Sequence, residues 1–381
     1  MINTISTIQA LMLLASAVFF VVQAAYWWRV FGRIARCRLP AKTAEAADGE
    51  LPGVSIIISA QHGYEQLPAN LPAWLEQDYP RFEVVVVDDL LEDDSEWMPA
   101  LCAKYRHLVW RTIRDGVSRA DRKMALGVGI KAARYDWLLF TDVDCRPSGR
   151  RYLRAMQSYF TGTAELVAGY TLLADAPKWI RADHLIQALY YSGCALRKRP
   201  CMADNRNLAY RRELFFANRG FDVRVGGHLR EDIVFVGKVA TRANVAVAMG
   251  AATTTVAQRR CTARGWTRRR VNEWRSLRLN DHGPYYPATA ESLCRLLFFA
   301  SVAAAAVLCA DRPALLAIPA GLVLLRLAGI TAVFLRSQSR LGEKGLLLMC
   351  WLWDIAGVGY HFYLLLLAVF QRHRTRRTWT M

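Results

Sequence analysis

The sequence predicts an α/β protein with a mostly parallel sheet, flanked by one N-terminal and two to three C-terminal transmembrane helices. Three observations predict this. Short β-branched runs alternate with helical stretches in the first half of the chain. Long apolar stretches stand at both ends. Closely spaced acids follow two of the β-branched runs, where open parallel sheets bind ligands. The 381 residues carry a formal charge of +18 and are 54% apolar, an unusual pairing for a soluble domain. Basicity alone suits nucleic acid, anionic lipid or phosphorylated substrates. The apolar ends decide for the membrane and against nucleic acid.

The first apolar stretch is 8–28, long enough to cross a hydrocarbon core. No charge precedes it, and Arg29, Arg33, Arg36 and Arg38 come directly after it. A cleaved signal peptide carries its positive charge first. Residues 1–30 therefore read as an uncleaved anchor, with the downstream domain on the cytoplasmic side of the inner membrane. A linker over 31–53 includes the polar segment AKTAEAADGELPG. The runs VSIIIS (54–59), FEVVVVDD (82–89) and YDWLLFTD (135–142) read as strands of a domain over 54–255. Leu67, Leu71, Trp74 and Leu75 space a helix between the first two, and 123–134 fits another before the third. Near the C-terminus, 293–310 and 314–335 are split only by Asp-Arg-Pro and read as a helical hairpin within a membrane region over 291–370. The stretch 345–370 contains Asp354 and His361. If it crosses, the basic tail over 371–381 ends outside, against the positive-inside rule. The nine cysteines show no C-x-x-C pair and no metal-ligand spacing, which fits a reducing compartment.

The acids carry the chemistry. Asp88 and Asp89 end the second strand; Asp142 and Asp144 end the third. One aspartate after a strand is usually a turn former or a cap. Two clusters at successive strand ends, one of them D-x-D, point instead to a nucleotide and metal site. Two carboxylates alone repel a diphosphate. A hard divalent cation, Mg²⁺ or Mn²⁺, bridges carboxylate oxygen to phosphate oxygen. Asp142 and Asp144 are the candidate metal ligands, with Asp142 also facing the nucleotide. Asp89 is placed to accept from a base N–H, and Lys123 to pair with a phosphate; a solvated lysine is the plain alternative.

In order along the chain, VSIIISAQHG, VVVVDDLLEDDS, RKMALGVGI, FTDVDC, NRNLAYRRELF and LREDIVF resemble the motifs of membrane-bound, inverting family 2 glycosyltransferases of the GT-A fold, a Rossmann-like architecture. The resemblance covers roughly residues 50–280. It implies that Asp89 contacts the uracil of a UDP-sugar and that Asp142 and Asp144 hold metal and diphosphate. It implies that Asn207 faces the acceptor side and that, of the pair Glu231-Asp232, Asp232 is the catalytic base. Displacement with inversion needs such a base opposite the leaving group, separate from the metal-bound acids. An acid favoured by a helix N-terminus is the plain alternative. Two departures stand out. Gln61-His62-Gly63 replaces the family's Asn-Glu after the first strand. Arg270-Val271-Asn272-Glu273-Trp274 stands where membrane synthases of the family carry Q-x-x-R-W. The degenerate motif and the few membrane helices argue against a processive polymer synthase.

Residues 258–281 hold eight arginines and two tryptophans. Trp266, Arg270 and Trp274 recur every four residues, on one face of a helix within 256–290 that is expected to lie on the leaflet. Its arginines would meet anionic head groups or a lipid-linked phosphate, with Arg268 or Arg270 reaching the departing diphosphate and Arg270 and Trp274 on the acceptor side. His228, beside a glycine pair, reads as a gate or a surface histidine. The expected function is transfer of a sugar from a nucleotide donor to a lipid or lipid-linked hydroxyl. The rivals are a component of a surface polysaccharide synthase and an inactive nucleotide-binding membrane scaffold.

Overall fold

The structure is a computed structural model of the chain, and it describes residues 6–37, 51–60, 64–88, 97–113, 122–160, 162–221, 229–280 and 285–377. Asp89, Gln61-His62-Gly63, His228 and most of the linker lie outside the described residues. The chain enters through α1 (Thr7–Tyr26). Ser6 and Gln9 cap it reciprocally, each side chain accepting from the other's backbone N–H. The helix widens into a π turn over Trp27–Phe31, and a short α2 (Arg33–Arg36) comes next.

The sheet domain alternates as the β-branched runs require. It contains β1 (Val54–Ser59), α3 (Leu67–Leu75), β2 (Phe82–Asp88), α4 (Trp97–Lys104), β3 (Leu108–Thr112), α5 (Arg122–Ala132) and β4 (Trp137–Asp142). Next come β5 (Cys145–Pro147), α6 (Tyr152–Gln157), β6 (Leu166–Ala168), β7 (Thr171–Leu173) and α7 (Lys178–Leu196). The domain is completed by β8 (Leu208–Arg211), α8 (Arg212–Ala217), α9 (Glu231–Val239), β9 (Val245–Val247) and β10 (Thr255–Ala257). The main sheet runs β3-β2-β1-β4-β8-β6-β9, and β5-β10-β7 forms a small second sheet. β1 pairs in parallel with β2 and β4, and β2 with β3; β8 runs antiparallel to both β4 and β6. All six residues of β1 are buried, as a two-sided strand demands. Register places the acids. Ser59 lies opposite both Val87 and Asp142, so Asp88 and Asp142 emerge on one edge.

The remaining helices are α10 (Ala263–Leu277), α11 (Tyr285–Leu308), α12 (Pro313–Leu341) and α13 (Leu347–Arg377). Among the described residues, four helical segments are long and apolar enough to cross a membrane: Thr7–Phe31, Pro287–Leu308, Pro313–Leu341 and Leu347–Phe370. All three C-terminal stretches therefore qualify, including the one with Asp354. That aspartate is tolerated because it is only 3% exposed and fully engaged. Arg326 of α12 donates to both its oxygens, at 2.8 and 2.9 Å, and Arg295 of α11 stands 3.4 Å away. Arg326 also donates to the Gln23 side chain of α1 at 3.1 Å, so one polar knot joins all four helices. Replacing Arg326 with Leu is expected to cost about 3 kcal/mol or more by stranding a buried carboxylate. The check is the thermal unfolding midpoint in detergent; an unchanged midpoint would mean that Arg295 alone satisfies Asp354.

The anchor and the sheet domain share a core. Trp27, Val30 and Phe31 pack with Tyr190 and Tyr191 of α7 and Trp274 of α10. At Gly193 the contact is backbone to backbone: a Cβ there would lie 2.2 Å from the Val30 carbonyl oxygen.

Candidate active site

Two strand ends and two helix starts converge. Asp142 closes β4, and Asp144 sits in the turn before β5. Arg122, the first residue of α5, forms an ion pair with Asp142 and places its Nε 3.1 Å from Glu231 Oε1. It therefore bridges the D-x-D pair to the Glu231-Asp232 pair at the start of α9. Arg206 lies 3.4 Å from Asp142 and 3.6 Å from Asp144 and is almost fully buried. Burial pushes the Asp142 carboxyl up, but Arg122 and Arg206 outweigh it and hold the group below the usual carboxylate range. Glu231 goes the other way: burial raises it, and Asp232 beside it adds to the shift against the pull of Arg122. Asp88 is buried at the same edge, and Lys123 stands half-buried beside Arg122.

Asp232 is held rather than loose. Arg230 donates to both its oxygens, Nε at 3.1 Å and Nη2 at 2.5 Å, and the Asn205 backbone N–H donates at 3.1 Å. Arg230 extends further, to Asp204 at 3.4 Å and Glu273 at 3.2 Å. The sequence alone does not single out Arg122, Arg206 or Arg230, although each is the chain neighbour of a predicted site residue. Their motifs, RKMALGVGI, NRNLAYRRELF and LREDIVF, are the signal that could have found them.

The Glu273 departure gains a physical account. Its Oε1 accepts from Arg230 at 3.2 Å and Arg269 at 3.0 Å, and its Oε2 accepts from Arg270 at 2.8 Å. Three guanidiniums meet there, and an arginine in that place would be a fourth. Trp266, Arg270 and Trp274 do share one face of α10, but the face is turned into the protein. They are 3%, 4% and 2% exposed, so the expectation that this face meets the leaflet is corrected. Arg270 is committed to Asp183 at 3.1 Å and to Glu273, and so is not free to meet a diphosphate. Asp183 of α7 also accepts from Trp266, Gln187 and Trp353, joining α7, α10 and α13. A lone acid inside a helix gives no sequence signal for that role. Arg264, Arg268 and Arg278 do face outward.

Asn207 also differs from expectation. It is 0% exposed, accepts from Tyr152 Oη at 2.8 Å and donates to the Tyr170 and Thr253 carbonyls. Its amide is spent on holding β8 to its neighbours, so it stands behind the site rather than facing an acceptor. Arg270 and Trp274, expected on the acceptor side, line a cavity between α7, α10, α11 and α13, together with Tyr191, Glu291, Arg295 and His361. Glu291 Oε1, Arg295 Nε and His361 Nε2 are buried there without a hydrogen-bond partner among the described residues. Buried polar atoms left unpaired are costly and mark a place for a polar ligand or water.

Asp142 and Asp144 offer hard oxygens, the chemistry of Mg²⁺ and Mn²⁺. Among the described residues, ion pairs set Arg122 and Arg206 against Asp142, Asp144 and Glu231, and Arg230, Arg269 and Arg270 against Asp183, Asp204, Asp232 and Glu273; the peptide bond between Glu231 and Asp232 links the two sets. A diphosphate entering that field calls for a further cation. Among the described residues no group of three or more His, Cys, Asp or Glu could hold a metal by itself. A cation held by Asp142 and Asp144 would draw its remaining ligands from phosphate and water. The residues present fit the group on those terms.

The family model described as "Glycosyl transferase family 21" matches residues 8–373. No curated protein matches the chain. Among solved structures, the mannosyltransferase PcManGT from Pyrobaculum calidifontis, in complex with GDP-Man and Mn²⁺, is 19% identical with a TM-score of 0.54. That match covers 91% of this chain and 98% of the other. S. aureus TarS 1–349 in complex with UDP-GlcNAc is 15% identical with a TM-score of 0.43, over 65% and 73% of the two chains. The first likeness establishes a shared GT-A-like fold.

Proposed function

Because the chain belongs to glycosyl transferase family 21, we propose that its glycosyl transfer moves one sugar from a nucleotide-diphosphate donor to a hydroxyl on a lipid or lipid-linked acceptor. In this reading the donor is a UDP-sugar, the anomeric centre inverts, and the sheet domain faces the cytoplasm from the inner membrane. The observation that carries the reading is the Arg122 bridge, which joins the acids expected to hold the diphosphate to the pair that contains the expected base.

In the reaction the acceptor hydroxyl oxygen attacks the anomeric carbon, and the bond from that carbon to the diphosphate oxygen breaks. The electron pair leaves with the nucleoside diphosphate. The hydroxyl proton passes to Asp232, whose carboxylate Arg230 and the Asn205 N–H hold in one orientation. Asp142 and Asp144 would hold Mg²⁺ or Mn²⁺, which supplies charge neutralisation for the leaving diphosphate. Arg206, at 3.4 and 3.6 Å from that pair, is held loosely enough to turn toward a phosphate. Asp88, Asp89 and Lys123 serve the nucleotide. The cavity beside Arg270 and Trp274 opens among the membrane helices, which suits a lipid head: its unpaired Glu291, Arg295 and His361 atoms are ready partners for acceptor hydroxyls.

The test is donor consumption and transfer by detergent-purified protein. A panel of UDP- and GDP-sugars is offered with a membrane-lipid extract, with Mn²⁺ or Mg²⁺ and with chelator. One donor is expected to be consumed, with a sugar-bearing lipid as product. Chelator is expected to lower the rate by about 100-fold or more, corresponding to several kcal/mol of charge stabilisation. Full turnover in chelator would remove the metal from the scheme. Binding of donors with no consumption in any lipid extract would favour the inactive scaffold.

A further inference from the structure

We propose that the arginine-ringed cavities where α1 meets the end of α7 bind one anionic phospholipid, at a site separate from the catalytic one. The first cavity, of about 470 Å³, has apolar walls from Val21, Val22 and Ala25 of α1, Cys194 of α7 and Pro287 of α11. Arg29, Arg197 and Arg199 line it too. A second cavity, of about 350 Å³, shares Arg29 and adds Arg33 and Arg36. Three guanidiniums from two distant chain segments thus line the apolar recess, and Arg29 joins it to a second cavity with two more.

These arginines differ from those of the catalytic network. There each guanidinium meets carboxylates; here, among the described residues, no carboxylate pairs with any of the five. All five are exposed, Arg29, Arg33 and Arg36 just beyond α1 and Arg197 and Arg199 just beyond α7. Arg36 is fixed over the Trp28 ring at 3.8 Å and bonded to the Gly32 carbonyl. Partial burial and then the neighbouring Arg33 cation lower its pKa, a direction that an anion at this place would oppose. A helix C-terminus favours basic residues and would account for Arg197. The positive-inside rule accounts for three further arginines after the anchor, but neither rule accounts for Arg29 meeting Arg197 and Arg199 around one apolar recess.

The occupant follows from the lining. Val21 and Val22 are exposed on the membrane-crossing helix, so the recess opens toward lipid rather than water. Basic pockets between membrane helices select anionic head groups. A phospholipid meets both demands, its phosphate among the arginines and an acyl chain along α1. Tyr190 lines both this recess and the cavity beside Arg270 and Trp274, so the two share a wall residue.

The experiment uses delipidated full-length protein in neutral detergent and needs no sugar transfer, so its failure is separable from failure of the glycosyltransferase reading. Thermal midpoints are compared with phosphatidylglycerol, phosphatidylcholine of the same chains, and free glycerol 3-phosphate. Phosphatidylglycerol is expected to raise the midpoint by several degrees. Phosphatidylcholine and glycerol 3-phosphate are expected to leave it unchanged. The triple variant Arg29→Gln, Arg197→Gln, Arg199→Gln is expected to lose the shift. Native mass spectrometry of the unaltered protein supplies a count independent of variant folding, with one phosphatidylglycerol retained in preference to phosphatidylcholine. An equal response to phosphatidylcholine, a full shift in the triple variant, or a full shift with glycerol 3-phosphate alone would each overturn the proposal.

Discussion

Asp232→Asn is expected to lower the rate of transfer by about 10³-fold, within the range that a positioned general base supplies. The substitution is nearly isosteric. One oxygen remains to accept from Arg230 and the Asn205 N–H, so the start of α9 keeps its place. The amide cannot take a proton from an attacking hydroxyl. Donor affinity should stay within a few-fold, because Asp232 is separated from the D-x-D pair by Glu231 and Arg122. Single-turnover transfer and donor binding by calorimetry, beside the thermal midpoint, make the check. A rate equal to that of the unaltered protein would remove Asp232 from the base role. Lost donor binding together with a lowered midpoint would mark it as structural.

Glu273→Arg should be more damaging than most substitutions in the chain, although it moves the sequence toward the Q-x-x-R-W pattern. The carboxylate that receives Arg230, Arg269 and Arg270 disappears, and a fourth cation enters a position only 2% exposed. Breaking one buried ion pair costs about 3–5 kcal/mol. Several broken together equal much of the roughly 5–15 kcal/mol by which folded proteins exceed their unfolded states. Folded yield in detergent is expected to fall to near zero. Glu273→Gln, which keeps an acceptor oxygen, should be recovered with a lowered midpoint. A stable, active Glu273→Arg protein would contradict the role given to this carboxylate.

The strands and their acids are legible in the sequence because burial on two faces leaves a mark that composition cannot hide. VSIIIS and YDWLLFTD read as strands, and the edge where Asp88 and Asp142 meet is implied by parallel order alone. β3 is not legible: LVWRT is half-buried at the sheet edge and its polar residues break the apolar run. The helix over 263–277 is legible, and so is the shared face of Trp266, Arg270 and Trp274. Its direction is not. Trp and Arg suit a membrane interface and a buried charge network equally well. Only the partners decide, and Asp183 and Glu273 are distant or unremarkable in sequence. The family resemblance points to the candidate acids by motif. The arginines that hold them become visible only in three dimensions, because an ion pair between residues 122 and 231 leaves no local pattern.

The shared core has a consequence for how the protein is made. Trp27 and Phe31 leave the ribosome long before Leu364 and Ala368, which are buried in the same core. Domains usually finish folding as units while later ones are still being translated. Here α7 and α10 lack their Trp353 and His361 partners until the last helix has been inserted. The sheet can form early around its own buried strands, but the face beneath it must wait. Ribosome-stalled chains ending before residue 347 should therefore be far more open to protease around 183–196 and 263–277 than within 54–59 and 137–142. Docking of α13 thus completes the face beneath the sheet domain.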